Sequence, residues 1–229
     1  GQDLHKYTAS LIYEKPISSI TKEERQIAKS VSFLIVYGGG PNKLSEQIGK
    51  PIEYCRGIFA DYSKAFPKVF SWIKEGRKKI KQVGYATSLF GRRRHLKNVN
   101  SPSRAHQERA LRQGMNFIIQ SSASDLMLHG IERVKKYSKH MGVDLDILAS
   151  VHDSVEVQCD FADIKKTTEL IKYCLQSTDD LPSIYGFKFL VPFEVDIEVG
   201  KSFGDCSEAE FDTSGNLQNQ IELLNYVQK

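Results

Sequence analysis

The chain has 229 residues, which is enough for one large domain or two smaller ones. Hydrophobic residues make up 40% of the composition, as in globular proteins that bury a core, so a disordered chain is excluded. The net charge is only +4, but cations cluster at residues 77–81 and 92–97, so a polyanionic partner and a solvated basic surface both remain open.

The sequence shows no membrane span and no signal peptide. No apolar run approaches the roughly 20 residues that a membrane helix needs, and the N-terminus lacks the pattern of a secretory signal. The cysteines are widely separated and form no C-x-x-C pair, which argues against a disulfide framework or a zinc site. We therefore expect no membrane partner and free thiols in a reducing compartment, at Cys55, Cys159, Cys174 and Cys206.

Residues 1–20 predict a short helix that ends near Pro16. Asp3 and His5 are more simply interpreted as capping or packing residues than as catalysts.

The next stretch, 21–40, predicts a helix with clear ends. Thr21 and Glu24 form a capping-box pattern, and the Gly-Gly-Gly-Pro run at 38–41 ends the helix, because glycine accepts a left-handed terminal residue.

One face of the helix at 21–37 carries two cations followed by two aromatic rings. Arg25, Lys29, Phe33 and Tyr37 recur every four residues, so they lie on one slowly drifting face. This order suits a ligand with a polyanionic end and a flat end, such as a nucleoside triphosphate. The alternative is an ordinary amphipathic helix with a solvated basic edge. Arg25 argues for an anion nearby, because the macrodipole disfavours a cation near a helix N-terminus.

Two further segments precede the middle of the chain. Residues 42–83 show helical periodicity punctuated by Pro51 and Pro67, with aromatic residues assigned to the core and no evident chemistry. Residues 84–94 predict a strand or hairpin that leads into a basic turn. Arg92 and Arg93 on this turn are suited to bidentate contacts with phosphates, while the alternative is a solubilising loop.

Residues 103–141 predict a long helix, with breaks expected near Gly114 or Gly130. A stripe at four-residue spacing runs along it. The first three residues of the stripe are charged, so an ion-paired surface is the alternative interpretation for them. The last two carry amides among apolar neighbours, and amides are suited to the minor-groove acceptors that every base pair presents. The stripe consists of Arg104, Glu108, Arg112, Asn116 and Gln120.

Residues 145–159 predict two strands joined by a tight turn at His152 and Asp153, where the aspartate is by itself an ordinary turn former. A helix near 161–177 and a strand-rich segment at 187–199 follow. The acidic residues of that segment alternate with apolar ones, so we interpret them as solvent-facing. The last residues, 207–229, carry an apolar stripe that can dock on this body or on a partner, formed by Leu217, Ile221 and Leu224.

Several of these stretches resemble, in the same order, family A (polymerase I-like) DNA polymerases. R-x-x-x-K-x-x-x-F-x-x-x-Y-G at 25–38 resembles the nucleotide-binding helix, and R-x-x-x-N-x-x-x-Q at 112–120 resembles the duplex-contacting helix. Val-His-Asp-Ser at 151–154 resembles the second catalytic motif, but the family has glutamate where Ser154 stands. The resemblance covers about residues 2–205, and the family's first catalytic aspartate motif is not found in the sequence.

The resemblance implies an α+β fold, with a mainly helical fingers subdomain and part of a palm with an antiparallel sheet. By this division residues 1–100 form the fingers, residues 101–206 the distal palm, and residues 207–229 a C-terminal extension. The implied reaction is template-directed transfer of a deoxynucleotide from a dNTP to a primer 3′-hydroxyl, with two Mg²⁺ ions in the assembled site. The implied partners are primer-template DNA and dNTPs, and the implied location is intracellular.

The resemblance also assigns residue roles. Asp153 binds metal and His152 lies near the primer end. Arg25 and Lys29 hold the triphosphate, with Lys29 a candidate proton donor to pyrophosphate, while Phe33 lies by the sugar and Tyr37 at the template base. The residues expected to contact DNA are Arg92, Arg93, Arg112, Asn116 and Gln120.

One aspartate cannot hold two metal ions, so the resemblance implies that part of the active site lies elsewhere. Either a second polypeptide supplies the first motif and the thumb, or the chain is a fragment. A catalytically inactive DNA-binding subunit is the alternative that Ser154 favours. A nucleotide-binding protein of another kind would leave the stripe at 112–120 unexplained.

Overall fold

The computed structural model describes residues 3–228, and the chain divides into two compact units, Gly1–Gln120 and Ser121–Lys229. Helices account for most of the first unit and for just under half of the second, and the strands within residues 3–228 form three separate two-stranded antiparallel sheets. The predicted α+β class is therefore confirmed. Within residues 3–228, no helix combines the length and the hydropathy needed to cross a membrane.

Three successive helices in the first unit start at prolines. Pro41 and Pro67 occupy the first turn of their helices and Pro51 is the N-cap of another, where a missing N–H costs nothing. A hairpin and the first part of a long helix complete the unit. Its elements are α1 (Leu4–Tyr13), α2 (Lys22–Val36), α3 (Pro41–Ile48), α4 (Ile52–Ala65), α5 (Pro67–Val83), β1 (Tyr85–Thr87), β2 (Arg93–His95) and the first part of α6 (Arg104–Met141).

Helix α2 is the best-specified element of this unit. The Thr21 hydroxyl accepts from the Glu24 backbone N–H, and the Glu24 carboxylate accepts from the Thr21 backbone N–H, which completes the predicted capping box. Gly38 follows the helix with φ +77°, a conformation that glycine adopts without strain. The buried face of α2 comprises Ala28, Val31, Ser32 and Ile35, whose burial fixes the rotation of the helix about its axis.

Helix α6 runs unbroken from Arg104 to Met141, so the predicted breaks at its glycines are wrong. The glycines permit close packing instead. A Cβ at Gly114 would lie 2.7 Å from the Leu96 side chain, and one at Gly130 would lie 2.6 Å from the Leu175 side chain. A larger residue at either position would force the neighbouring side chains to shift.

The second unit combines helices with two hairpins around one apolar core. Its elements are the remainder of α6, β3 (Leu145–Val151), β4 (Ser154–Cys159), α7 (Ile164–Gln176), α8 (Leu181–Tyr185), β5 (Glu198–Ser202), β6 (Asp205–Glu208) and α9 (Gln220–Gln228). In the segment 187–199, which was predicted to be strand-rich, a strand begins only at Glu198, because no strand within residues 3–228 pairs with residues 187–197. The predicted alternation is present, with Glu194 and Asp196 exposed and Ile197 buried.

The C-terminal segment docks on the second unit itself. Leu217, Leu223 and Val227 are buried in its core, and Leu224 packs against that cluster. Ile221 is 75% exposed, so the predicted stripe is wrong at this residue. Helix α9 instead turns the face that carries Leu223 and Val227 toward the core, because these residues are four apart on the helix.

Replacing Leu223 with alanine is expected to destabilise the protein by about 2–5 kcal/mol, since the side chain is fully buried and its loss leaves a cavity. Ile221→Ala is the matched control from the same helix. Its effect is expected to stay within about 0.5 kcal/mol, as for most exposed positions. Urea unfolding of both variants measures the difference. Similar small effects for both would show that α9 is not docked as described.

Candidate functional site

The four predicted nucleotide-binding residues lie along one accessible face of α2. Phe33 is 44% exposed and stacks on Tyr37, with ring centroids 6.0 Å apart and ring planes 10° apart. The Lys29 Nζ lies 6.0 Å from the centroid of the Phe33 ring. Lys29 has no ion pair within the described residues, so its ammonium group is available to an anion.

Arg25, at the start of this face, already has an anionic neighbour. Its Nε donates to Asp3 Oδ2 at 2.7 Å, while Asp3 Oδ1 accepts from the backbone N–H groups of His5 and Lys6 and thereby caps α1. The hydrogen bond from Arg25, followed by those from the backbone, lowers the pKa of Asp3 to about 2. The pair therefore remains ionised at neutral pH, and the anion inferred near Arg25 from the sequence is in part this carboxylate.

Asp3 still leaves most of the guanidinium available. The ion pair uses the Nε–H, and arginine has four further N–H donors on its terminal nitrogens. The His5 ring lies 5.9 Å from Phe33, and burial, followed by the charge of Arg25, lowers the pKa of His5. The sequence predicts only capping or packing roles for Asp3 and His5, and no signal in it links Asp3 to Arg25.

The C-terminal end of α2 lies beside the predicted DNA-contacting stripe of α6. Gln120 Nε2 donates to the Tyr37 hydroxyl at 2.8 Å. Arg112 packs near Gly38, where a Cβ would lie 3.5 Å from its Cγ. Asn116 is exposed on α6 between these two positions. Glu108, which sequence analysis placed in the stripe, pairs with Arg77 of α5.

The hairpin of β1 and β2 presents the predicted arginines on an exposed edge. The Arg93 guanidinium lies 5.0 Å from the centroid of the Tyr85 ring, so an aromatic face orients it. Arg92 is exposed, and its backbone N–H donates to the Ser88 hydroxyl at 3.1 Å. The Arg94 guanidinium lies 6.0 Å from the Phe117 ring. The arginine side chains on this edge can contact phosphates, while the hydrogen bond from Arg92 N–H to the Ser88 hydroxyl holds the backbone of the turn.

His152 and Asp153 form the tight turn between β3 and β4 in the second unit. Val151 pairs with Ser154, which leaves these two residues as the loop. His152 has φ +55°, an uncommon conformation for a residue other than glycine. Asp153 is exposed, and within the described residues its carboxylate makes no hydrogen bond or ion pair. The turn therefore presents to solvent a carboxylate that has no hydrogen-bond or ion-pair partner among the described residues.

A second carboxylate lies close to this turn. The Ser154 Oγ donates to the Val151 carbonyl at 3.1 Å and lies 3.3 Å from Glu156 Oε1. No motif in the sequence singled out Glu156 as a candidate site residue. Although residue 154 has no charge of its own, Glu156 places negative charge beside it.

The described residues do not by themselves form a metal centre. Within residues 3–228, no group of three His, Cys, Asp or Glu side chains is arranged to hold a metal ion. Asp153 fits the role of a single ligand, because Mg²⁺ typically takes one or two carboxylates and obtains its other ligands from water and substrate phosphates.

Comparisons with known proteins agree with one another. The family model for DNA polymerase family A matches residues 1–205. The DNA polymerase of Bacillus phage SP01 is 29% identical over 214 residues, covering 91% of this chain and 23% of that protein. The thermostable DNA polymerase I of Thermus aquaticus is 26% identical over 208 residues, covering 91% of this chain and 24% of that protein.

A solved structure is similar over most of the fold. The POL domain of Pol1 from M. smegmatis, in complex with DNA primer-template and dNTP, matches with a TM-score of 0.74 and 26% identity, covering 85% of this chain and 33% of that one. The chain thus spans about a quarter of the length of the curated relatives it matches. On the match of residues 1–205, the chain belongs to DNA polymerase family A.

Proposed function

We propose that this chain takes part in template-directed DNA synthesis, as the fingers and distal palm of a family A DNA polymerase. The observation that carries the proposal is the accessible α2 face, where Arg25, Lys29, Phe33 and Tyr37 follow one another in a family A chain. The reaction joins a primer 3′-hydroxyl to the α-phosphorus of a dNTP and releases pyrophosphate. Its barrier is lowered mainly by positioning and by charge neutralisation.

The roles along α2 follow from their chemistry and order. Lys29 and the terminal nitrogens of Arg25 bind the triphosphate, and Lys29 is placed to protonate the leaving pyrophosphate. The exposed Phe33 ring packs beside the sugar, and Tyr37, held by Gln120, lies at the template base. The charge of Arg25 is shared with Asp3, so Lys29 contributes the less neutralised cation of the two.

The DNA contacts are proposed for two exposed surfaces of this chain. Arg112, Asn116 and Gln120 on α6 line the nascent duplex, where amides reach acceptors common to all base pairs. Arg92 and Arg93 on the hairpin bind backbone phosphates, which contributes salt-dependent affinity without sequence preference.

Asp153 is proposed to hold magnesium, with His152 near the primer end. Bound magnesium ions would neutralise charge on the attacking and leaving oxygens. Because no cluster of three ligands exists within residues 3–228, a further carboxylate is required. We infer that polymerase sequence outside these 229 residues supplies it together with the thumb, either on a second polypeptide or on the rest of a longer chain. The free cysteines support an intracellular, reducing setting.

A catalytically inactive DNA-binding subunit is the second candidate. Ser154 favours it, because this residue lacks the carboxylate that the family carries at this position. Glu156, 3.3 Å from the serine hydroxyl, argues in the other direction, since it keeps negative charge beside the turn. Primer extension distinguishes the two candidates.

The 229-residue chain alone is expected to bind primer-template DNA weakly and not to extend it, since one uncommitted aspartate cannot organise the reaction. Addition of a polypeptide with the remaining polymerase regions is expected to produce extension. The measurement is primer extension with magnesium and four dNTPs, together with DNA binding over a range of salt concentrations.

Two results would contradict parts of this proposal. Robust extension by the pure chain would show that no outside carboxylate is needed. Absence of extension with the matching partner, while DNA binding persists, would support the inactive subunit.

A further inference from the structure

A tryptophan on α5 is exposed on a surface that the proposed site does not use. Trp72 is the single tryptophan of the chain and is 38% exposed. Within residues 3–228 its indole N–H has no hydrogen-bond partner and its ring has no aromatic neighbour. Indole rings usually contribute to cores or interfaces, so exposure without a polar partner requires a reason.

Two exposed lysines lie on the same side of α5 as this ring. At about 100° per residue, Lys68 and Lys79 lie within about 40° of Trp72 around the helix axis, with Lys68 about 6 Å and Lys79 about 10 Å from it along the helix. Helix α5 carries three further exposed lysines. None of the five forms an ion pair within the described residues: Lys68, Lys74, Lys78, Lys79 and Lys81.

Helix stability explains only some of these charges. Lys68 lies in the first turn of α5, where the macrodipole disfavours a cation, and Lys74 and Lys78 are like charges at i,i+4 spacing. Glu75, the acidic residue of this helix, accepts from the Ser71 hydroxyl at 3.0 Å. Lys79 and Lys81 near the C-terminus are favoured by the dipole, and Lys74 and Lys78 lie more than 100° from Trp72 around the helix axis. Lys68 is therefore the lysine near Trp72 whose position helix stability does not explain.

The geometry points to a binding site for single-stranded nucleic acid on this surface, with Trp72 stacking on an unpaired base and Lys68 and Lys79 contacting the flanking phosphates. We call it the Trp72 face and define it by these three residues. Aromatic rings beside cations bind single strands, because every base has a π-face and every nucleotide a phosphate. A duplex keeps its bases stacked internally and offers no free π-face, so it fits this surface less well. The unpaired part of a template strand belongs to the ligand class that fits.

The single tryptophan makes the test direct. The 229-residue chain is titrated with an oligothymidylate of about 15 nucleotides, and the intrinsic tryptophan fluorescence is recorded. The expected result is saturable quenching, because a stacked base contacts the only indole in the chain. A blunt duplex of equal length is expected to bind without comparable quenching. The assay contains neither primer nor dNTP, so an absence of quenching would not contradict the proposed polymerase function. An absence of primer extension would likewise not contradict the proposed binding of single strands.

Variants test the lysines and the ring separately. The double variant Lys68→Ala/Lys79→Ala is expected to reduce the salt slope of oligothymidylate binding by about 1.4, at about 0.7 for each phosphate that is no longer neutralised. Lys43→Ala/Lys50→Ala removes two exposed lysines of α3 and its C-terminal end and serves as the matched control. Anisotropy of a labelled oligonucleotide is expected to show about tenfold weaker binding by Trp72→Ala, and a smaller loss by Trp72→Phe, which retains a stacking ring.

Three results would overturn the inference. Binding seen by anisotropy without quenching would place the strand elsewhere on the chain. Equal quenching by the duplex would remove the preference for unpaired bases. Equal changes in the salt slope for the two lysine variants would reduce the Trp72 face to a general basic surface.

Discussion

Asp153→Asn is expected to reduce nucleotide incorporation by the assembled polymerase to below about one-thousandth of the parent rate, because the neutral amide supplies no negative charge to a hard cation. The fold should not change. Asp153 is exposed on a two-residue turn, and within the described residues its carboxylate bonds to no other group. Single-turnover incorporation at saturating magnesium measures the rate, and thermal unfolding checks that stability is retained.

Ser154→Ala is the matched control at the neighbouring position. It removes a hydroxyl that donates to the Val151 carbonyl at 3.1 Å but removes no charge. Most activity is therefore expected to remain. Substantial polymerisation by Asp153→Asn would show that the assignment of Asp153 to a metal ion is wrong. A loss in Ser154→Ala as large as that in the aspartate variant would show that the turn acts through its conformation.

Lys29→Ala and Arg25→Ala are each expected to slow incorporation by about 10²–10³-fold, the usual effect of removing a donor to developing charge, which corresponds to about 3–4 kcal/mol. Lys29→Ala should have the larger effect of the two. Lys29 has no ion pair within the described residues, whereas part of the Arg25 charge is neutralised by Asp3 at 2.7 Å. Steady-state incorporation and affinity for primer-template, measured side by side, give the comparison.

The contrast between these two measurements is the informative result. Primer-template affinity is expected to change little, because the α2 face is proposed to bind the triphosphate rather than the duplex. Lys43→Ala, an exposed lysine of α3 and therefore not part of the Arg25–Tyr37 face, is the control for loss of one positive charge. Equal losses in incorporation and in DNA affinity would identify this face as a general DNA-binding surface.

The sequence by itself determined the elements whose signals are local. The capping box at Thr21, the glycines after Tyr37 and the prolines at 41, 51 and 67 predicted helix limits that the structure confirms, because caps and breakers act within one or two turns. The hairpin around His152 and Asp153 followed from alternation and turn chemistry in the same way. Four-residue spacing also placed Arg25, Lys29, Phe33 and Tyr37 on one helix face.

The tertiary structure alone decided which partners these residues meet. The ion pair of Arg25 with Asp3 joins residues 22 positions apart, and the bond from Gln120 to Tyr37 joins residues 83 positions apart. No local pattern in the sequence encodes such pairs, since they depend on how whole helices pack. Glu156 likewise became relevant only when the turn placed it beside Ser154.

Packing also decided the predictions that were wrong. Gly114 and Gly130 predicted breaks from propensity, but close approach to Leu96 and Leu175 makes them contact points within an unbroken helix. Residues 187–197 have the alternation of a strand, yet a strand forms only where a neighbouring strand completes its hydrogen bonds, and within residues 3–228 the segment has one such backbone bond, from Ala209 N–H to the Ile197 carbonyl at its end. Propensity and alternation limit the secondary structures that a segment can adopt, and packing against neighbouring elements decides which of these secondary structures forms.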